Sequence, residues 1–178
     1  MKSFIRFCCV MFSLFAVSAA IIPGFSPFPV RSALAACTDP PEPGVNWQRC
    51  LMNSSQLDAV DLTGAKLRDN SQFRSILDQA VLRDVDGFRA KFVNASMIGA
   101  DLENGRFSEA DFTKADLSQA SLKNADLRRA KLFRAILRGA DLSGARLSGA
   151  DIGKADFSGA TWTDGQKVCA EGSIGRCK

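Results

Sequence analysis

Histidine is absent from the 178 residues, which removes the side chain that most often serves as general base or zinc ligand near neutral pH. Ser-His-Asp triads and HExxH-type metal sites are excluded with it. Proline is absent beyond residue 43, and before residue 36 the only charged residues are Lys2, Arg6 and Arg31. The first fifth of the chain is therefore a different kind of polymer from the rest. No Gly-x-Gly-x-x-Gly segment is present, so the glycine-rich loop that cradles a dinucleotide phosphate is missing too. What is there is ordinary for one folded domain: 46% hydrophobic, 24% charged, and 23 Lys+Arg against 19 Asp+Glu.

Met1 to Ala35 reads as a signal peptide. Lys2 and Arg6 form a short basic start, Phe7 to Ile22 carries no charge, and Ala33, Leu34 and Ala35 make an A-x-A cleavage site. The apolar run is short for a spanning helix, and Pro23, Gly24, Pro27 and Pro29 prevent its extension. No stable membrane span is expected after cleavage. The exported chain would begin at Ala36 in the periplasm or outside the cell, with a net charge of +1 once three basic residues are removed from +4. Leu34-Ala35-Ala36-Cys37 also resembles a lipobox, the minor alternative being a lipoprotein anchored through Cys37.

An internal repeat decides the fold class. From residue 90 to 160 every fifth residue is Ala except Gly105, and two residues after each comes a large apolar side chain, from Phe92, Met97 and Leu102 through to Phe157 and Trp162. Upstream the register continues through Leu57, Leu62, Leu67, Leu77 and Leu82, while Phe73 and Phe88 sit one residue late and predict two local bulges. A period of five cannot be an α-helix, where each step turns the side chain by about 140°. A straight strand fails as well, because odd spacing alternates faces. The chain must turn a corner every repeat, and four corners close one coil of about twenty residues in a parallel-stacked solenoid.

Ala115-Asp116-Leu117, Ala125-Asp126-Leu127 and Ala140-Asp141-Leu142 follow the pattern A-(D/N)-L-x-x, and residues 57–164 resemble the pentapeptide-repeat family. The resemblance implies an all-β fold, a right-handed quadrilateral parallel β-helix, here of about five coils. The organisation expected is signal peptide 1–35, N-terminal cap 36–56, repeat β-helix 57–164 and C-terminal disulfide cap 165–178.

A coil of twenty makes a prediction about charge. Residues twenty apart stack at ~4.8 Å, where like charges repel. Lys66, Asp86, Arg106, Asp126 and Arg146 alternate in sign, as do Lys91, Asp111, Lys131 and Asp151, and Asp69, Arg89, Glu109 and Arg129. Most charges are thereby assigned to ladders. One face leaves a remainder: Arg74, Lys91, Lys114, Lys131, Arg134 and Lys154 against Asp111 and Asp151, a net of +4. It is the candidate binding face, with Phe73, Val93 and Phe133 beside it. The face around Leu62, Leu82, Leu102, Leu122 and Leu142 carries a net of −4.

The ends of an open solenoid need caps. Without Cys8 and Cys9, four cysteines remain, an even number suited to an oxidising compartment. Cys37 pairs with Cys50 and Cys169 with Cys177 in this reading, because the two ends lie too far apart for crossed bridges. A four-cysteine metal site or reactive thiol is the alternative, opposed by the absence of metal-ligand spacing.

The function expected is a non-catalytic, extracytoplasmic scaffold or binding protein without cofactor or metal, engaging a protein or an anionic envelope component through the basic face. No nucleic acid is expected. Stacked coils predict end-to-end homodimerisation, which a C-terminal cap would oppose. The resemblance supplies the alternative: some family members, including quinolone-resistance proteins, look like B-DNA and bind DNA gyrase, so a DNA-mimic ligand of gyrase or topoisomerase is the second reading.

Overall fold

The computed structural model describes residues 37–178; the expected signal peptide, 1–35, lies outside them. Residues 61–65 show how each repeat is built. Asp61 makes a single-residue parallel bridge to Val81, Leu62 and Ala65 are buried, and Thr63 and Gly64 form the turn between them. The Ala65 N–H donates to the Leu62 carbonyl at 2.9 Å, and Gly64 has φ 68°. Together these define a type II turn, whose third residue needs a positive φ. The small alanine is required where consecutive walls meet, and the large residue two places later fills the interior.

Parallel bridges recur at a spacing of twenty, from Asn46↔Lys66 to Asp141↔Thr161. They form four ladders, each defining one wall of the solenoid. Wall 1 runs Asn46, Lys66, Asp86, Arg106, Asp126, Arg146; wall 2 runs Leu51, Ser71, Lys91, Asp111, Lys131, Asp151. Wall 3 runs Gln56, Ile76, Ser96, Asp116, Ile136, Asp156; wall 4 runs Asp61, Val81, Asp101, Ser121, Asp141, Thr161. Residues 46–56, read from the sequence as cap, already share this register.

The ladders are made of isolated bridges rather than sheet strands among the described residues. Two turn residues and a corner in every five leave one residue able to pair on both sides. Hydrogen bonding between coils is nevertheless continuous: Leu137 N–H donates to Asp156 O at 2.7 Å and Ile136 N–H to Ala115 O at 2.9 Å.

The two predicted bulges are absent. The bridges Leu51↔Ser71↔Lys91 and Lys66↔Asp86↔Arg106 keep the spacing of twenty, and Gln72 and Gly87 take the inward positions, leaving Phe73 and Phe88 half-buried on the turns. A one-residue insertion would unpair a whole level of the ladder, so the side chains adapt instead. At Gly87 a Cβ would stand 2.6 Å from the Phe107 ring, which occupies the space that glycine leaves. Gln72 is fully buried, and both its amide nitrogen and its oxygen lack a hydrogen-bond partner among the described residues. Asn70 and Ser75 are also buried, at corner positions where they donate to the Trp47 and Met52 carbonyls at 2.8 Å, and the centre of the interior is apolar, with Phe92 stacked on Phe112 at 5.0 Å between centroids.

Each end is closed by a disulfide. Cys37–Cys50 bridges the N-terminal loop, beneath which Trp47 is fully buried and donates its indole N–H to Asp39 O at 3.2 Å. Cys169–Cys177 ties the C-terminal segment, which turns back antiparallel through Thr161↔Val168 and Asp156↔Ile174. Ser173 O accepts from Phe157 N–H, and Cys169 O from Gly159 N–H, so the cap replaces the coil that would come next. It does so on walls 3 and 4. On walls 1 and 2 the N–H groups of Leu147, Gly149, Ile152 and Lys154 donate to no backbone carbonyl among the described residues, and Leu147 and Ile152 remain half-buried.

Candidate binding surface

The repeat places two outward side chains on each turn and one on each bridge, so every wall presents three columns to solvent. On wall 2 the second turn column is Arg74, Asn94, Lys114, Arg134 and Lys154. All are exposed and all hold positive φ, from 55° to 59°. A left-handed backbone costs a non-glycine residue roughly 1–2 kcal/mol, so these long cations stand where glycine would be least strained. None of the four cations in the column forms an ion pair among the described residues, and neither does Lys91. Lys131 pairs loosely with Asp111, at 3.8 Å. The half-buried phenylalanines beside the column lie under its cations: Arg74 is 4.9 Å from the Phe73 ring, Arg134 5.4 Å and Lys154 5.9 Å from that of Phe133. Such contacts hold a cation in place without neutralising it.

The alternating columns expected to act as ion-pair ladders do so only in part. Arg89–Asp69 and Arg129–Glu109 pair vertically at 3.6 and 3.8 Å, but no two members of the Lys66–Arg146 column lie within ion-pair distance. The closer pairs are diagonal, eighteen residues apart: Arg68–Asp86 at 3.2 Å, Lys123–Asp141 at 3.2 Å, Arg138–Asp156 at 3.0 Å and Arg83–Asp101. The cause is local. An aspartate on the bridge turns its carboxylate sideways to accept the N–H two residues on, as Asp101 does from Glu103 at 3.1 Å and Asp141 from Ser143 at 2.9 Å. The cation that then reaches it sits on the first turn position of the preceding coil.

This also explains the aspartate of the repeat. The N–H of the first turn residue has no backbone acceptor, and the preceding aspartate supplies one. At Asp61 the Thr63 hydroxyl and N–H hold the carboxylate below its ordinary value. At Asp126 the Arg128 guanidinium is the principal cause of the same shift. Burial opposes it at Asp141 and Asp156 but is outweighed by the hydroxyl and N–H of Ser143 and Ser158, with Lys123 and Arg138 adding to the effect.

The ladder pattern conceals the charge of wall 1 in the sequence. With its turns this wall carries eight basic and four acidic side chains, a net of +4, equal to wall 2. Wall 3 carries one basic and four acidic, and wall 4 two and six. The solenoid is therefore divided lengthwise into a basic half, walls 1 and 2, and an acidic half, walls 3 and 4. Arg83, Lys123 and Arg138, the cations of the acidic half, are all ion-paired. Summing outward charges around the Leu67, Phe107 and Leu127 column would have revealed wall 1 from the sequence.

Among the described residues no cluster of three or more His, Cys, Asp or Glu could hold a metal ion, and no helix is long and apolar enough to cross a membrane. The hydroxyl–carboxylate pairs that do occur, such as Ser118 with Asp116 and Ser158 with Asp156, both at 2.6 Å, are the turn caps just described. The arrangement offers walls patterned lengthwise with charge.

The family profile for pentapeptide repeats matches residues 74–104, 90–129 and 125–161, with eight copies. The chain belongs to the pentapeptide-repeat family. Among solved structures it is similar to HetL, a pentapeptide repeat protein involved in heterocyst differentiation regulation in the cyanobacterium Nostoc sp. Identity is 32%, covering 70% of this chain and 62% of HetL, with a TM-score of 0.46; the chain thus spans less than two thirds of HetL's length. A pentapeptide repeat protein of the Arabidopsis thaliana thylakoid lumen is 26% identical over 69% of this chain and 83% of its own, TM-score 0.42. QnrB1, a plasmid-mediated fluoroquinolone resistance protein, is 23% identical over 66% and 70%, TM-score 0.37. No curated protein matches the sequence.

Proposed function

We propose that the chain is an exported, non-catalytic scaffold, a right-handed quadrilateral β-helix that engages an acidic protein or an anionic envelope component through its basic half. The observation that carries this reading is the column Arg74, Lys114, Arg134 and Lys154, exposed and free of ion pairs among the described residues, with Arg74 braced on Phe73 and Arg134 and Lys154 on Phe133. Structural cations are usually compensated nearby, as those of walls 3 and 4 are; uncompensated ones in a row raise the local potential available to an anionic partner. The paired cysteines suit an oxidising compartment, and a Cys37 held in a disulfide has no thiol to carry a lipid. The C-terminal segment pairs over walls 3 and 4, which opposes an end-to-end homodimer through those walls at that end.

The test is capture of envelope material by the oxidised protein against the double variant Arg134→Glu, Lys154→Glu. Loss of the salt-sensitive captured fraction, with an unchanged melting temperature, is the expected result; equal capture by both proteins overturns the assignment to wall 2. A second reading draws on the acidic half. Walls 3 and 4 together carry ten acidic against three basic side chains, which a DNA-binding groove could accept, and inhibition of gyrase supercoiling by the purified protein would favour it.

A further inference from the structure

The ridge between walls 1 and 2 is formed by the turns of wall 1. Its first turn column reads Arg68, Phe88, Ser108, Arg128, Ser148 and its second Asp69, Arg89, Glu109, Arg129, Gly149. Serines at 108 and 148, set between long side chains, leave a hollow lined by Ser108, Glu109, Arg128, Arg129 and Ser148. We infer that this hollow is a seat for a phosphate or sulfate group, held by the guanidinium groups of Arg128 and Arg129 and the hydroxyls of Ser108 and Ser148.

The donors are present, and each arginine keeps part of its hydrogen-bonding edge free. Arg128 forks onto Asp126 through Nε at 2.8 Å and Nη2 at 2.6 Å, which orients the guanidinium plane and leaves Nη1 without a partner among the described residues. Arg129 meets Glu109 at 3.8 Å with its side chain 77% exposed, a contact beyond hydrogen-bond length that an incoming anion can displace. The Ser108 and Ser148 hydroxyls donate no hydrogen bond among the described residues. Guanidinium edges and hydroxyls match the acceptors of a tetrahedral oxyanion, and the guanidinium fork suits it better than an ammonium would. Glu109 and Asp126 are the opposing charges and balance Arg129 and Arg128, so the excess positive charge at the hollow comes from the bridge residues beside it. Arg106 and Arg146, on the bridges either side of Asp126, form no ion pair among the described residues and add to the field.

The inference deepens the reading of the basic half and rests on it: the seat anchors one anionic group of a partner whose remainder lies along walls 1 and 2. Inorganic phosphate and inorganic sulfate, and separately vesicles of phosphatidylglycerol, are titrated into the oxidised protein while backbone amide NMR signals are followed. Saturable shifts confined to Ser108, Arg128, Arg129 and Ser148 are expected. Shifts with the free anions assign the seat to a free or pendant oxyanion, and shifts with vesicles alone assign it to lipid headgroups. Glu109→Gln should tighten binding and Arg129→Gln weaken it, each by up to about fivefold, the measure of one exposed charge pair. No saturable shift with any probe, or equal shifts along all the cations of walls 1 and 2, overturns the seat. The Arg134→Glu, Lys154→Glu variant should lose the macromolecular partner while keeping the phosphate shifts, so failure of the wall 2 reading and failure of the seat are distinguishable.

Discussion

Gln72 occupies an inward position whose neighbours along the wall 2 column are Met52 and Phe92, and its amide is buried without a partner among the described residues. An unsatisfied buried amide costs ~1–3 kcal/mol. Gln72→Leu should therefore raise the unfolding free energy by about that amount, measured by denaturant titration with an unchanged slope; a loss of stability would show that the amide has a partner, such as a buried water. Gly87 is the complementary case. Its missing side chain is where the Phe107 ring lies, so the interior column stays filled by a long residue from one coil and a short one from the next. Both positions resemble breaks in the repeat when the phenylalanines are followed along the sequence, and neither is one when the backbone spacing is followed.

At the scale of the repeat, the recurring aspartate acts first as a turn cap and only second as a charge. This role carries a pH signature. Asp61, Asp126, Asp141, Asp156 and Asp164 all have folded values below the ordinary 3.8, so the unfolded chain binds more protons than the folded one in the acid range. The stability these groups confer is complete well above 3.8 and is lost as pH falls through 3.8 and then through the lower folded values. Thermal melts should hold steady from neutrality down to mild acid and drop steeply below about pH 4. A melting temperature insensitive to pH in that range would mean the caps contribute nothing. The five-residue period and its corners were legible in the sequence because alanine and the large apolar residue recur over many repeats. The cap was not, since an aspartate beside a small polar residue two places on also satisfies a charge-ladder pattern.

For the whole molecule, the ends and the charge distribution set behaviour. A solenoid passes stability from coil to coil, so removing a cap exposes the last level and lets it fray. The double variant Cys169→Ser, Cys177→Ser should lower stability by ~2–3 kcal/mol, and hydrogen exchange should report the loss first at Phe157 and Gly159, whose N–H groups the cap accepts. Uniform exchange along the chain would indicate that the fold melts as one unit instead. The transverse polarity implies that partner binding weakens with salt, since exposed charges are screened within ~10 Å at 0.1 M ionic strength.

The sequence by itself determined the repeat, the four-cornered coil and the composition of its interior, because each arises from a local period that no helix or straight strand can satisfy. It also singled out Arg74, Lys114, Arg134 and Lys154, whose shared spacing needs nothing beyond counting by twenty. Only the tertiary structure decided which of the remaining charges are spent on neighbours. A carboxylate turned by a hydrogen bond two residues away selects a diagonal partner over the one directly above it, and that choice depends on side-chain direction, which a periodic pattern does not encode. The same holds for the C-terminal segment. Its fold-back sets the Ser173 and Cys169 carbonyls against the Phe157 and Gly159 N–H groups of walls 3 and 4, a pairing outside the five-residue period and so invisible to it.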